Sequence, residues 1–161
     1  MREVFKRAGP AGRLSLVLSS WFGAGLAPKA PGTFGTLAAV PPVALIKYLG
    51  AASECIFLIV LVPIALWSSH TARNCLEKDD PKEVVIDEAA GFCLSVLLLP
   101  FTWISLGLGF LLFRFFDILK PFPIGMIDRR VKGGTGIVLD DIVAGIFANI
   151  AARIILILMG I

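Results

Sequence analysis

VVIDEAAGFCLSVLLLPFTWISLGLGFLLFRFFDILK, residues 84–120, decides how this chain folds. From Ala89 to Phe113 it carries no charge for 25 residues, and about 20 apolar residues are enough to cross a bilayer as one helix. Pro100 points to a different fold. Proline disfavours helix at the residue before it and breaks a helix interior, so the run divides into a hairpin with arms over residues 87–99 and 103–117. Each arm is about 20 Å long at roughly 1.5 Å per residue, short of the roughly 30 Å hydrocarbon core. Such arms suit a half-embedded or compact bundle.

The same reading extends outward. A hinge near Gly50 separates helices over 36–49 and 53–73, and these arms are likewise expected to be too short to span. The last block, 142–161, carries Arg153 as its only charge. No strand-like alternation persists, so the expected fold class is all-α: a compact, membrane-associated helical bundle built from helical hairpins. The 161 residues fit one domain, with a basic N-terminal segment over 1–20 and a C-terminal apolar helix over 142–161.

Composition agrees with this. Hydrophobic residues make up 57% and charged residues 17%, against about 45–50% and 25% in soluble domains. That excludes disorder. The net charge of +3 and the lack of a basic patch interleaved with aromatics argue against nucleic acid. Cys55, Cys75 and Cys93 are isolated, without metal or disulfide spacing. Arg2, Lys6, Arg7 and Arg13 precede no clean signal-peptide core, so the start reads as a cytoplasmic-side segment able to touch anionic headgroups.

The acids are the informative residues. Glu77, Asp79, Asp80 and Glu83, mixed with Lys78 and Lys82, read as a solvated linker. Asp87-Glu88 opens the third apolar block, Asp117 closes it, and Asp140-Asp141 opens the fourth. Folding at Pro100 brings Asp87, Glu88, Arg114 and Asp117 to one end of the hairpin, where a last helix starting at Asp140-Asp141 joins them. Folding at Gly50 brings Thr33 and Thr36 near His70 and Arg73. Five carboxylates around one rim repel and lose solvation unless a cation compensates them. A hard divalent ion such as Mg²⁺ does so with oxygen ligands. Acids at helix N-termini also gain from capping and the dipole, which explains one such pair better than it explains two pairs and Asp117. Asp87 and Asp141 are each followed four residues later by glycine, Gly91 and Gly145, a spacing that lets helices approach closely beside the carboxylates, although an echo this short also arises by chance.

Phosphate-type elements lie around the acids. Pro31-Gly32-Thr33-Phe34-Gly35-Thr36 ahead of an apolar helix offers free N–H groups and hydroxyls, although the same turn serves as an ordinary helix cap. It is not a Walker A loop. Val131–Gly136 reads as a second flexible loop, and Lys120, Arg129, Arg130 and Lys132 are candidate phosphate donors or headgroup anchors. His70, the only histidine, is a candidate general acid or a polar helix end.

GAGLAPKAPGTFGTLAAVP (23–41), SSHTARN (68–74), VVIDEAAGF (84–92) and FRFFDILKPFPIGMIDRRVKGGTGIVLDDIVAG (113–145) together resemble the phosphatidylglycerophosphatase A family. The resemblance implies a Mg²⁺-dependent, membrane-associated all-helical phosphatase at the bacterial inner membrane with its site on the cytoplasmic side. Its substrate would be phosphatidylglycerophosphate, hydrolysed to phosphatidylglycerol and inorganic phosphate. Pro100-Phe101-Thr102-Trp103 is more apolar than the hairpin tip of some relatives and favours insertion of the tip into lipid.

On this reading Asp87, Glu88, Asp117, Asp140 and Asp141 hold one or two Mg²⁺ ions. Arg114 and Lys120 contact phosphate, Lys29, Thr33 and Thr36 support them, and His70 protonates the leaving oxygen. The nearest rival is a related enzyme acting on another phosphomonoester such as phosphatidate. A membrane transporter would place its acids within the apolar runs, whereas these flank them, and a silent scaffold would tolerate their loss. Nothing in the sequence speaks to oligomeric state.

Overall fold

A computed structural model describes residues 1–161. It contains eight α-helices and a 3-10 turn at Ala24–Leu26, with no strand. The helices are α1 (Arg2–Arg7), α2 (Pro10–Ser19), α3 (Pro31–Tyr48), α4 (Ala51–Leu76), α5 (Ile86–Ser95), α6 (Trp103–Leu119), α7 (Ile124–Arg130) and α8 (Gly134–Leu158).

The shortest of the core helices is the central one. Eight of the ten residues of α5 are buried, and α3, α4, α6 and α8 all pack on it. Its small residues Ala89, Ala90 and Gly91 let neighbours approach. The closest approach is α8: a Cβ on Gly145 would collide with the Gly91 carbonyl, and one on Gly91 would lie 2.7 Å from the Asp141 carbonyl oxygen. The acid-to-glycine spacing in the two segments has its physical cause in this crossing.

Pro100 does divide the long apolar run. Helix α5 stops at Ser95, before the expected Leu99, and Leu98 adopts a left-handed φ of 56° in the connection. Thr102 then caps α6, its Oγ1 accepting from the Ser105 N–H at 3.0 Å. The carbonyls freed where α5 ends need donors inside the bundle. Asn149 Nδ2 donates to the oxygens of Leu94, Ser95 and Leu97, and Lys47 Nζ to those of Val96 and Leu99 at 2.9 and 3.0 Å. Lys47 also pairs with the buried Glu54 at 2.9 Å, and Glu54 accepts from the Leu98 N–H. This polar knot ties the Gly50 hinge to the Pro100 hinge.

Several expectations need correction. Helix α3 starts at Pro31, not Thr36, because proline suits the first helical position, and it continues through Pro41 and Pro42. Helix α4 has 26 residues and α8 has 25. At roughly 1.5 Å per residue these are about 39 and 37 Å, so the expectation of a short arm fails for α4; both are long and apolar enough to cross a membrane. Helix α8 begins at Gly134, six residues before Asp140, so Val131–Gly136 is only partly loop. Gly134 lies against the His70 backbone and Gly136 against the Val131 carbonyl, where a Cβ would clash. The helices α1, α2 and α7 were not anticipated. The first two lie at the end of the bundle where α4 finishes: Leu16 packs with Ala72 and Val84, and the Val85 N–H donates to Ser19 at 2.8 Å.

Candidate active site

At the end of the bundle where α5 starts and α6 finishes, a cleft of about 940 Å³ opens among the starts of α3, α5 and α8, the end of α6, α7 and the segment 79–84. Asp87 and Glu88 sit in the first turn of α5. The fold at Pro100 returns Arg114 and Asp117 to that same end, as the sequence led us to expect, and all four residues line the cleft. Asp140 and Asp141 line it as well, but from the second turn of α8. Their position owes nothing to a helix N-terminus; the Gly91–Gly145 crossing presses α8 against α5 at that level.

These carboxylates are not equally compensated. Asp117 accepts from Arg114 at 2.5 Å. Asp140 Oδ2 accepts from Lys120 Nζ at 2.6 Å, and Lys120 also holds Asp128 at 2.7 Å. Asp87, Glu88 and Asp141 have no such cation, yet each offers an oxygen within 4.8 Å of the other two. Asp87 Oδ1, Glu88 Oε2, Asp140 Oδ1 and Asp141 Oδ2 are buried without a hydrogen-bond partner, as is Arg114 Nε. Buried unpartnered polar atoms cost about 1–3 kcal/mol each, more when charged, and four of them on residues lining one cleft call for a ligand.

Electrostatics leads to the same conclusion. Burial pushes the Asp87 carboxyl well above its usual range, and the neighbouring Glu88 charge adds to it. Burial raises Glu88 to about 7; Asp117 adds to the rise, while the Asp87 hydrogen bond and Arg114 oppose it. For Lys120, burial disfavours the charge, but hydrogen bonds to Asp128 and Asp140 outweigh it and hold the ammonium above its ordinary pKa. An all-oxygen donor set whose members resist ionising together is the chemistry of a hard divalent cation site.

Gly32 explains why the start of α3 belongs here. A Cβ at that position would strike the Glu88 carboxylate and lie 3.2 Å from Arg114. Other expected site residues are not brought in. Thr36 is buried and its hydroxyl donates to the Gly32 carbonyl at 2.9 Å, so it stabilises its own helix. Thr33 and the exposed Lys29 do not line the cleft, and neither does His70, whose side chain is exposed while its backbone supports Gly134. Conversely, Asp79, Asp80 and Lys82, read as a solvated linker, form a wall of the cleft, and Asp128 faces it as the second partner of Lys120. The available signal was position: the linker runs directly into the buried Asp87.

Residues 17–156 match the family model for phosphatidylglycerophosphatase A. The chain is 36% identical over 133 residues to phosphatidylglycerophosphatase A of Escherichia coli strain K12, covering 82% of this chain and 77% of that protein. It is 36% identical over 136 residues to phosphatidylglycerophosphatase A of Haemophilus influenzae, covering 83% of each. A putative phosphatidylinositol-3-phosphatase of Bacteroides thetaiotaomicron is 32% identical over 146 residues, covering 85% of this chain and 90% of that one. No solved structure matches the chain. With a helical bundle, a carboxylate cleft and a match over most of its length, the chain belongs to the phosphatidylglycerophosphatase A family.

Proposed function

We propose that this protein hydrolyses the terminal phosphomonoester of phosphatidylglycerophosphate, giving phosphatidylglycerol and inorganic phosphate. The reaction belongs to phospholipid synthesis at the bacterial inner membrane, with the cleft on the cytoplasmic side. One observation carries the chemistry: three carboxylates without an ion-pair partner, within 4.8 Å of one another, in a cleft also lined by the half-buried Arg114 and Lys120.

Asp87, Glu88 and Asp141 would hold Mg²⁺, with Asp140 and Asp117 alongside. The ion, when bound, supplies charge neutralisation for the phosphate and eases attack by water. The chain's own cations do the positioning. Asp117 orients the Arg114 guanidinium and leaves its buried Nε free to donate to a phosphate oxygen. Lys120 is charged throughout the physiological range, and Asp128 and Asp140 fix where its ammonium sits. Such prearranged donors are the main source of rate in phosphoryl transfer. His70, outside the cleft, drops out of the reaction.

A lipid substrate requires the cleft to lie at a membrane. In support, α4 and α8 carry exposed Ile56, Ile59, Ile154 and Ile157 on their outer faces, and the hairpin tip exposes Phe101 and Trp103. The Bacteroides relative favours a second reading, hydrolysis of another lipid phosphomonoester with the same machinery. Phosphate release from phosphatidylglycerophosphate, phosphatidate, phosphatidylinositol 3-phosphate and a soluble sugar phosphate, with and without Mg²⁺, separates the two. The first reading expects the fastest Mg²⁺-dependent turnover on phosphatidylglycerophosphate; a faster reaction on another lipid replaces it.

A further inference from the structure

The charge of this chain is unevenly placed. Residues 1–30 carry five basic side chains and one acid, whereas residues 31–161 carry ten basic and eleven acidic ones. The whole net positive charge therefore resides in the first 30 residues, and residues 1–16 of that stretch precede the region that matches the family. The acid, Glu3, is an exposed partner of Lys6 at 3.2 Å, a pair that contributes little to stability.

The same segment builds a groove. The turn after α2 passes through Trp21, Phe22 and Gly23, all at positive φ, which folds the chain back beneath α1. Between them lies an apolar trough of about 380 Å³ floored by Met1, Phe5, Leu16, Val17, Phe22 and Leu26, with Arg2 and Lys6 also lining it. Phe22 is 72% exposed and Leu26 53%, large apolar side chains that face outward beside cations. Arg13 donates to the carbonyls of Phe5 and Lys6 at 3.1 and 3.0 Å, so it holds α1 over the trough. The segment packs on the site end of the bundle, with Gly25 against the Glu83 carbonyl and Val85.

We infer that this trough binds an anionic phospholipid, its acyl chain against Phe5, Phe22 and Leu26 and its phosphate at Arg2 and Lys6. An apolar floor with a cationic rim matches the amphipathic character and the charge of such a lipid. The trough thereby sets the depth of the bundle at the headgroup level, next to the cleft. The inference rests on the reading that the protein sits in a bilayer, but it concerns a site that the reaction does not use.

Trp21, whose ring lies 5.8 Å from that of Phe22, is the reporter. In the full chain carrying Trp67→Phe and Trp103→Phe, reconstituted in vesicles, Trp21 fluorescence is measured with brominated phosphatidylserine or brominated phosphatidylcholine as a minor component. Phosphatidylserine is anionic but is neither the proposed substrate nor the proposed product. The trough predicts about fivefold stronger apparent association for the anionic lipid, roughly what one cation at an anionic surface contributes. Arg2→Gln/Lys6→Gln removes that preference and leaves phosphate release per reconstituted protein unchanged. Equal quenching by both lipids overturns the inference and leaves the bilayer reading intact, as does a preference that survives the double substitution. Quenching by neither lipid overturns it and removes the bilayer from this face altogether.

Discussion

Gly91→Ala tests whether the helix crossing builds the site. The added Cβ would stand 2.7 Å from the Asp141 carbonyl oxygen and 2.5 Å from the Phe113 ring, where ordinary contact begins at 3.4 Å. Phe113 is fully buried and cannot swing away. Helix α8 must therefore retreat from α5 by about 0.7 Å and α6, which carries Phe113, by about 0.9 Å, and overpacking of this kind costs about 1–3 kcal/mol. For a chain of this length that is a loss of about 3–10 °C in melting temperature. The chemical cost is larger, because Asp140 and Asp141 move with α8 while Asp87 and Glu88 stay on α5. A misplacement near 1 Å can cost about 100-fold in rate, so a fall of roughly 10- to 100-fold in kcat is expected. Thermal unfolding and Mg²⁺-dependent phosphate release are measured on the same preparation. Gly107→Ala is the control, since a Cβ there meets nothing within 4 Å; it should match the parent in activity and melt at the same or a slightly higher temperature. A Gly91→Ala protein with parental rate and melting temperature would refute the claim that this crossing sets the carboxylate geometry.

Other outcomes follow from the same contacts. Lys47→Met leaves Glu54 buried without its cation and two carbonyls without a donor, so unfolding should become easier by about 3–5 kcal/mol, read by chemical denaturation. Glu88 binds its proton more tightly folded than unfolded, with a pKa near 7 against an ordinary 4.5. Its contribution is therefore present at low pH and lost as pH rises from about 4.5 through 7. Metal-free protein should lose up to about 3 kcal/mol across that window, and added Mg²⁺ should flatten the profile as it displaces protons; melting temperature against pH, with and without the ion, checks both. Asp128→Asn removes one of the two acids that fix Lys120, and should lower kcat several-fold with a smaller effect than Lys120→Ala, as steady-state kinetics on both variants will report.

The part of the fold legible in sequence was the part dictated by local chemistry. Pro100 lies in the connection that separates α5 from α6, and the fold back at that connection returned Arg114 and Asp117 to the side of Asp87 and Glu88. The acid-to-glycine spacing, too short an echo to decide anything in sequence, falls at a close crossing of α5 and α8, where Gly145 meets the Gly91 carbonyl. What failed depended on tertiary context. Pro31 and the Val131–Gly136 stretch read as loop chemistry, but proline fits a helix start, and Gly134 and Gly136 are required by close packing against the His70 backbone and the Val131 carbonyl. Starting α3 at Pro31 turned Thr33 and Thr36 from cradle residues into helix residues, and moved the first contact with the cleft to Gly32. His70 was singled out by its chemistry, while its exposure was set by how α4 meets α8. Lys47, an isolated charge in an apolar block, showed its purpose only when its distant partners Glu54, Val96 and Leu99 were in place.

The central claim is that Asp87, Glu88 and Asp141 form one ion-binding centre that drives phosphomonoester hydrolysis. Phosphate release from phosphatidylglycerophosphate, titrated with Mg²⁺ for the parent and for Asp141→Asn, addresses it directly. The account predicts saturable Mg²⁺ dependence in the parent and loss of at least about 100-fold in rate in the variant, a loss of the size that follows from removing a group stabilising transition-state charge, with the helical fold retained by circular dichroism. Equal turnover of the two proteins, or a parental rate indifferent to Mg²⁺ and to its chelation, would contradict it.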